Sequence, residues 1–239
     1  MRSAKGQELH KQAEHTREAG EFEKSIDLAK QAISAYEADK DYLGQSDAFG
    51  TLSLGLRHKA RTAKSSEERM QFLSEAKDAA SEGIKIAEEN NLAGDLARPY
   101  FNLAKVQEDM YDFTGAVESY RKSVEIFKTQ NPKLHNRSGV LADMNIHLAT
   151  CEYMAGDKSA LDRALRAIED LKVSDEKSVL KYNYDVWLSG GYMRIAEMLK
   201  EDNKELAKEN LEEAKKIIDG NPDLKIRLEQ WEELEKSFK

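Results

Sequence analysis

Apolar and small residues along this chain recur at intervals of three and four, the period of a helix buried on one face. The segment DFTGAVESYRKSVEIF (112–127) shows the pattern in miniature. Gly115 and Ala116 share one turn, Tyr120 follows a turn later and Ser123 a turn after that. A strip of small side chains beside an aromatic one is a packing surface, because a small residue on one helix lets a large neighbour seat against the backbone. Clean runs of alternating β-branched residues bounded by turns are missing. The pattern predicts an all-α protein.

Turn signals divide the pattern into helices. Gly20 lies between two helical stretches, and Ser65 with Glu68 forms a capping box. Gly94 marks a break, Gly156 ends a helix and Asp157 starts the next. Asn131-Pro132 and Asn221-Pro222 read as N-cap followed by first helical residue. About eleven helices of roughly 14 to 26 residues result, joined by turns short enough to make neighbours antiparallel. They group as one domain over 1–239, with units at about 3–38, 41–90, 92–130, 132–171 and 174–219, and a last helix at 221–239.

The units resemble one another. When 97–127 is laid on 6–37, Leu9, Ala13, Phe22 and Ser25 take the places of Tyr100, Ala104, Phe113 and Ala116. Ala29 and Ala32 likewise match Tyr120 and Ser123, and Gly20 matches Tyr111. YFNLAKVQ and AVESYRKS then cover the two halves of the tetratricopeptide repeat (TPR) signature, with weaker copies in TLSLGLRH, NIHLATCE and LAKENLEEA. The chain therefore resembles a TPR protein. The small residues Ala13, Gly55, Ala104 and Ala149 fall 42, 49 and 45 residues apart, with Ile195 in the same slot 46 further on. A standard TPR repeats every ~34 residues. The longer period resembles kinesin light chain and bacterial peptide-pheromone receptors.

That resemblance implies a right-handed superhelical solenoid of about five antiparallel helix pairs plus a C-terminal capping helix. Leu224, Leu228, Trp231, Leu234 and Phe238 form the apolar stripe such a cap needs, and a homodimer through this helix is the alternative use. Three features depart from the pattern. Ile195 is β-branched in a small slot, and Gly190-Gly191 sits inside a helical run, as a close approach, a kink or a hinge. In the fourth unit the stripes Ala160/Ala164/Ala167 and Leu161/Leu165/Ile168 compete for the buried face.

Composition narrows the functions. The net charge of −8 speaks against nucleic acid, and the one basic cluster, RHKARTAK at 57–64, reads as cations at a helix C-terminus without interleaved aromatics. No apolar stretch suits a bilayer, the polar N-terminus lacks a leader pattern, and the single Cys151 fits a reducing compartment, so a cytoplasmic protein is expected. Cys151 reads as a small buried hydrophobe. His10 and Glu14, one turn apart, are the nearest approach to a metal pair, and they read as solvated. No cofactor, metal or catalytic constellation is expected.

The resemblance also implies that first helices line a concave groove. The first unit would present Gln7, His10, Lys11 and Glu14; the second Phe49, Leu52, Ser53 and Leu56; the third Arg98, Phe101, Asn102 and Lys105. The fourth would add Asp143, Ile146, His147 and Tyr153, and the fifth Ser189, Tyr192 and Met193. Phe49, Leu52 and Leu56 suit a core equally well, whereas Phe101, Asn102 and Lys105 are expected to be exposed. Arg98 and Asn102 match two places of the chaperone-type carboxylate clamp, but His10 and Glu14 break it. The resulting expectation is a non-enzymatic scaffold that binds a peptide or helix of a partner protein. The alternatives are a self-assembling structural solenoid and an intracellular peptide sensor.

Overall fold

A computed structural model describes residues 3–129 and 138–238. Among these the chain is all-α, with no strand. It divides into two compact units, 1–130 and 131–239.

The first unit contains three helix pairs: α1 (Ala4–Glu18) with α2 (Phe22–Ala38), α3 (Tyr42–Ala60) with α4 (Ser66–Glu89), and α5 (Ala97–Asp109) with α6 (Phe113–Thr129). A short 3₁₀ turn, Ala93–Asp95, precedes α5 at the break expected at Gly94. The caps follow from sequence. Ser65 accepts from the Glu68 amide at 3.1 Å, and the Glu68 carboxylate reaches back to the Lys64 amide at 2.7 Å. Gly20 and Gly156 take positive φ at helix ends, where only glycine avoids a Cβ clash at no cost.

Within each pair the helices approach closely enough for a buried serine on one to donate to a carbonyl on the other. Ser25 reaches Ala13 O at 2.7 Å, Ser46 reaches Gly83 O and Ser53 reaches Ala76 O at 2.8 Å, and Ser123 reaches Ala97 O at 2.6 Å. Of the strip read from 112–127, Ala116, Tyr120 and Ser123 have no exposed surface, and Gly115 is partly buried. The strip is the inner wall of the α5–α6 pair.

The second unit contains α7 (Ser138–Met154) with α8 (Ala160–Val173), the four-residue α9 (Glu176–Val179), and α10 (Lys181–Leu199) with α11 (Lys204–Asp219). The last helix, α12 (Lys225–Lys236), lies on α10 and α11. Trp231 donates to Leu211 O at 2.9 Å, and Leu228, Trp231, Leu234 and Phe238 pack half-buried against the unit's core. Two expected helix starts move. Asn221 instead forms a turn, accepting from the Asp223 amide and donating to Asp185, so α12 begins three residues after Pro222. Asp157 accepts from Ser159, and α8 starts at Ala160. The start expected at Asn131-Pro132 lies outside the described residues.

The competing stripes of α8 are resolved by packing. Ala160, Ala164 and Ala167 are buried, Leu161 and Leu165 only partly so, and Ile168 joins the buried set. Ile195 is fully buried in the same core. Gly190 and Gly191 lie inside an unbroken α10, and here the glycines serve close approach. A Cβ on Gly191 would stand 2.7 Å from Ile168 Cδ1 and 3.2 Å from Ile146 Cδ1, both in the core. A Cβ on Gly190 would meet only the Arg227 guanidinium, at 2.8 Å, the movable end of a long side chain. Gly191→Ala should therefore lose about 1–3 kcal/mol to overpacking, more than the ~1 kcal/mol it gains in helix propensity. Gly190→Ala should be neutral or stabilising. Denaturant unfolding of the two variants checks the contrast; equal effects would contradict it.

Candidate functional site

The face expected to bind begins, in the first unit, with three first helices, α1, α3 and α5. α3 meets α1 through His10, whose ring lies 2.8 Å from Thr51 Oγ1. α3 meets α5 through a ladder: Asp47 pairs with Arg98 at 2.8 Å, and Arg57 pairs with Asp109 at 2.7 Å. Between these rungs the Asn102 side chain lies over Gly50, where a Cβ would stand 2.9 Å from its amide nitrogen. The accessible stripe of α3 is thus Leu43, Asp47, Leu54 and Arg57, interrupted by Gly50.

This register differs from the expected one. Leu52, Ser53 and Leu56 are buried, the two leucines with Ala13, Ile26, Leu73, Ala76 and Val106, and only Phe49 keeps partial exposure. Of the two uses open to Leu52 and Leu56, the structure gives the core. Asn102, expected to be exposed, is only 5% so. Its amide nevertheless makes no hydrogen bond among the described residues, and its atoms are not among the fully enclosed ones. Arg98 is exposed, while Phe101 and Lys105 are half-buried. The Lys105 ammonium sits 4.1 Å from the Phe101 ring centre, and that ring meets Tyr120 edge-on at 5.4 Å.

Gln7, His10, Lys11 and Glu14 come together as expected, on one wall of a cleft of about 290 Å³. Tyr36 of α2 forms its floor, and Asp41, Leu43, Gly44 and Asp47 form the opposite wall. The Tyr36 ring is clamped between glycines: a Cβ would come within 2.6 Å of it from Gly6 and 2.3 Å from Gly44. Neither glycine is legible as a slot in the sequence, because the spacing of each within its own helix does not name the helix it faces.

His10 is 9% exposed. Burial holds its pKa below the ordinary value, with Arg98 adding to the effect and Glu14 and Asp47 opposing it. A neutral ring fits both neighbours, with Nδ1 accepting from the Tyr36 hydroxyl at 3.4 Å and Nε2 donating to Thr51.

In the second unit, the residues expected in the groove are more enclosed. Ile146 has no exposed surface and is a core residue, packed near Gly191. His147 and Asp143 are buried one turn apart on α7, 3.9 Å from each other. Tyr153 is held at the end of its helix, donating to Asp202 at 2.6 Å, which raises its pKa. Tyr192 and Met193 are buried on α10, with the Lys172 ammonium 5.5 Å from the Tyr192 ring centre.

The basic cluster at 57–64 falls in the last turn of α3 and beyond, as expected of a helix C-terminus. Other helices bring aromatics to it, which the local sequence could not show. His58 stacks on Phe22 at 5.5 Å and Lys59 lies over Phe72. Two of its cations are matched, Arg57 by Asp109 and Lys59 by Glu23. No three His, Cys, Asp or Glu side chains gather as metal ligands among the described residues, and no described helix is long and apolar enough to cross a membrane.

Comparison with protein-family models finds no match, and comparison with curated proteins finds none. Solved structures do match. A Podosopora anserina protein described as a putative kinesin light chain with nearly identical TPR-like repeats superposes with a TM-score of 0.58 at 13% identity, over 88% of this chain and 93% of that one. The chain has a TPR-type repeat fold. A second structure, of a variant of that same protein, gives the same TM-score over 89% and 93%. BtubC (BKLC) from P. vanneervenii matches with a TM-score of 0.48 at 17% identity, over 91% and 88%, too low to bear on the fold.

The neutral buried His10 sets a pH dependence. Its folded pKa lies below the unfolded value of 6.5, so the unfolded chain binds more protons once pH drops below that value. Stability should fall as pH goes from 7.5 to 5, and His10→Gln should remove part of that fall. Thermal melts across this range check it; an identical pH profile in the variant would contradict it.

Proposed function

We propose that the chain is a non-enzymatic protein-interaction scaffold, cytoplasmic, that holds a segment of a partner protein on the first-helix faces. The observation that carries this reading is Asn102. Its side chain is largely buried, yet its amide atoms reach the surface without a protein partner, open to the hydrogen bonds of a bound segment, and Asn102 lies between the exposed Arg98 and the Lys105–Phe101 pair. Those four residues form the part of the expected groove on which the proposal mainly rests. Tyr192, Met193 and His147 are lesser candidates within the second unit.

A peptide backbone offers the donors and acceptors that Asn102 lacks, and Phe101 offers an apolar anchor. Self-assembly through α12 draws less support. The apolar stripe of that helix already rests on the core of its own unit, with Trp231 tied to Leu211.

Asn102→Ala should leave stability within about 1 kcal/mol, because no hydrogen bond inside the protein is lost. It should weaken capture of the partner from native lysate, as should Phe101→Ala/Lys105→Glu. A loss of several kcal/mol, or undiminished capture in both variants, would contradict the reading.

A further inference from the structure

The cleft beside this face has a chemistry of its own. Glu14 and Asp41 place two carboxylates around it against one ammonium, Lys11, and a third carboxylate there, Asp47, already pairs with Arg98. His10 adds no charge, because burial keeps it neutral between the Tyr36 and Thr51 hydroxyls. Asp41 is fixed rigidly, accepting from the Ser3 amide at 3.0 Å and the Gly44 amide at 3.1 Å. Leu43 adds an apolar wall, and the Tyr36 floor is immobilised between its two glycines. The Arg98 guanidinium lies against Asp47 at the edge of the cleft.

The cleft shares the α3 stripe with the open amide of Asn102, since Asp47 lies one turn before Gly50. A volume of about 290 Å³ is at the small end for a whole ligand and suits a single long side chain. An apolar wall beside several carboxylates fits a flexible aliphatic stem that ends in a cation.

We infer that this cleft takes the cationic side chain, lysine or arginine, of the partner segment held over Asn102. The inference rests on the scaffold reading above and assigns its partner a basic residue. An acidic segment would find the α5 cations already engaged, Arg98 by Asp47 and Lys105 by Phe101.

The test is a nuclear magnetic resonance titration of the full chain with three small probes: the Nα-acetyl methylamides of lysine, norleucine and glutamate. The lysine probe should shift the backbone amides of Leu43, Gly44 and Asp47 and saturate. The norleucine probe, which keeps the four-carbon stem but lacks the ammonium, should bind up to about fivefold more weakly, the value of one partly exposed ion pair. Glu14→Gln should weaken the lysine probe by a similar factor without moving the melting temperature. Asn102→Ala should leave the lysine probe unaffected, so probe binding reports on the cleft while partner capture reports on the scaffold reading. Norleucine binding as well as lysine, glutamate binding better, or no shift at these amides with the lysine probe would each overturn the inference.

Discussion

The constraint on which the first unit depends is the close approach of paired helices, close enough for buried serine hydroxyls to reach carbonyls across the contact. Such an approach allows only small side chains on the facing stripe and requires every hydroxyl there to find a partner. Ser25, Ser46, Ser53 and Ser123 meet both conditions. Each bond contributes only about 1 kcal/mol net, but an unpaired hydroxyl in that position would cost more. The bonds therefore select register as much as they add stability. Once the facing stripe is set, Tyr36 has one slot, between Gly6 and Gly44, and Tyr120 has one, against Phe101.

The same register decides which residues are left for a partner. Burying Leu52, Ser53 and Leu56 of α3 turns Asp47, Gly50 and Arg57 toward α5. The ladder from Asp47–Arg98 to Arg57–Asp109 follows. Asn102 crosses that ladder only because residue 50 lacks a side chain. The proposed function thus grows from packing: the amide is open because its neighbours are fixed.

Much of this was legible in the sequence, and the misses share a cause. Helix pairing, the Ser65 cap, the strip around Ala116 and the grouping of Gln7, His10, Lys11 and Glu14 follow from local periodicity. The face of α3 did not, because α3 carries three glycines, at 44, 50 and 55, and spacing alone assigned the small slot to Gly55. In the structure Gly44 and Gly55 face Tyr36 and Ile26 of α2, whereas Gly50 faces Asn102 of α5. Ile146 was assigned to the groove by the same overlay, while the bare Gly191 opposite draws it into the core. The aromatics beside the basic cluster, Phe22 and Phe72, arrive from other helices and leave no trace in the local pattern.

The most direct test of the packing account is the equilibrium unfolding of Ser123→Ala and Ser123→Leu. Ser123→Ala removes one hydroxyl bond and should cost about 1 kcal/mol. Ser123→Leu forces the α5–α6 pair apart and should cost about 1–3 kcal/mol more. A leucine variant as stable as the alanine one would show that the helices do not need this close approach, and the register built on it would fall.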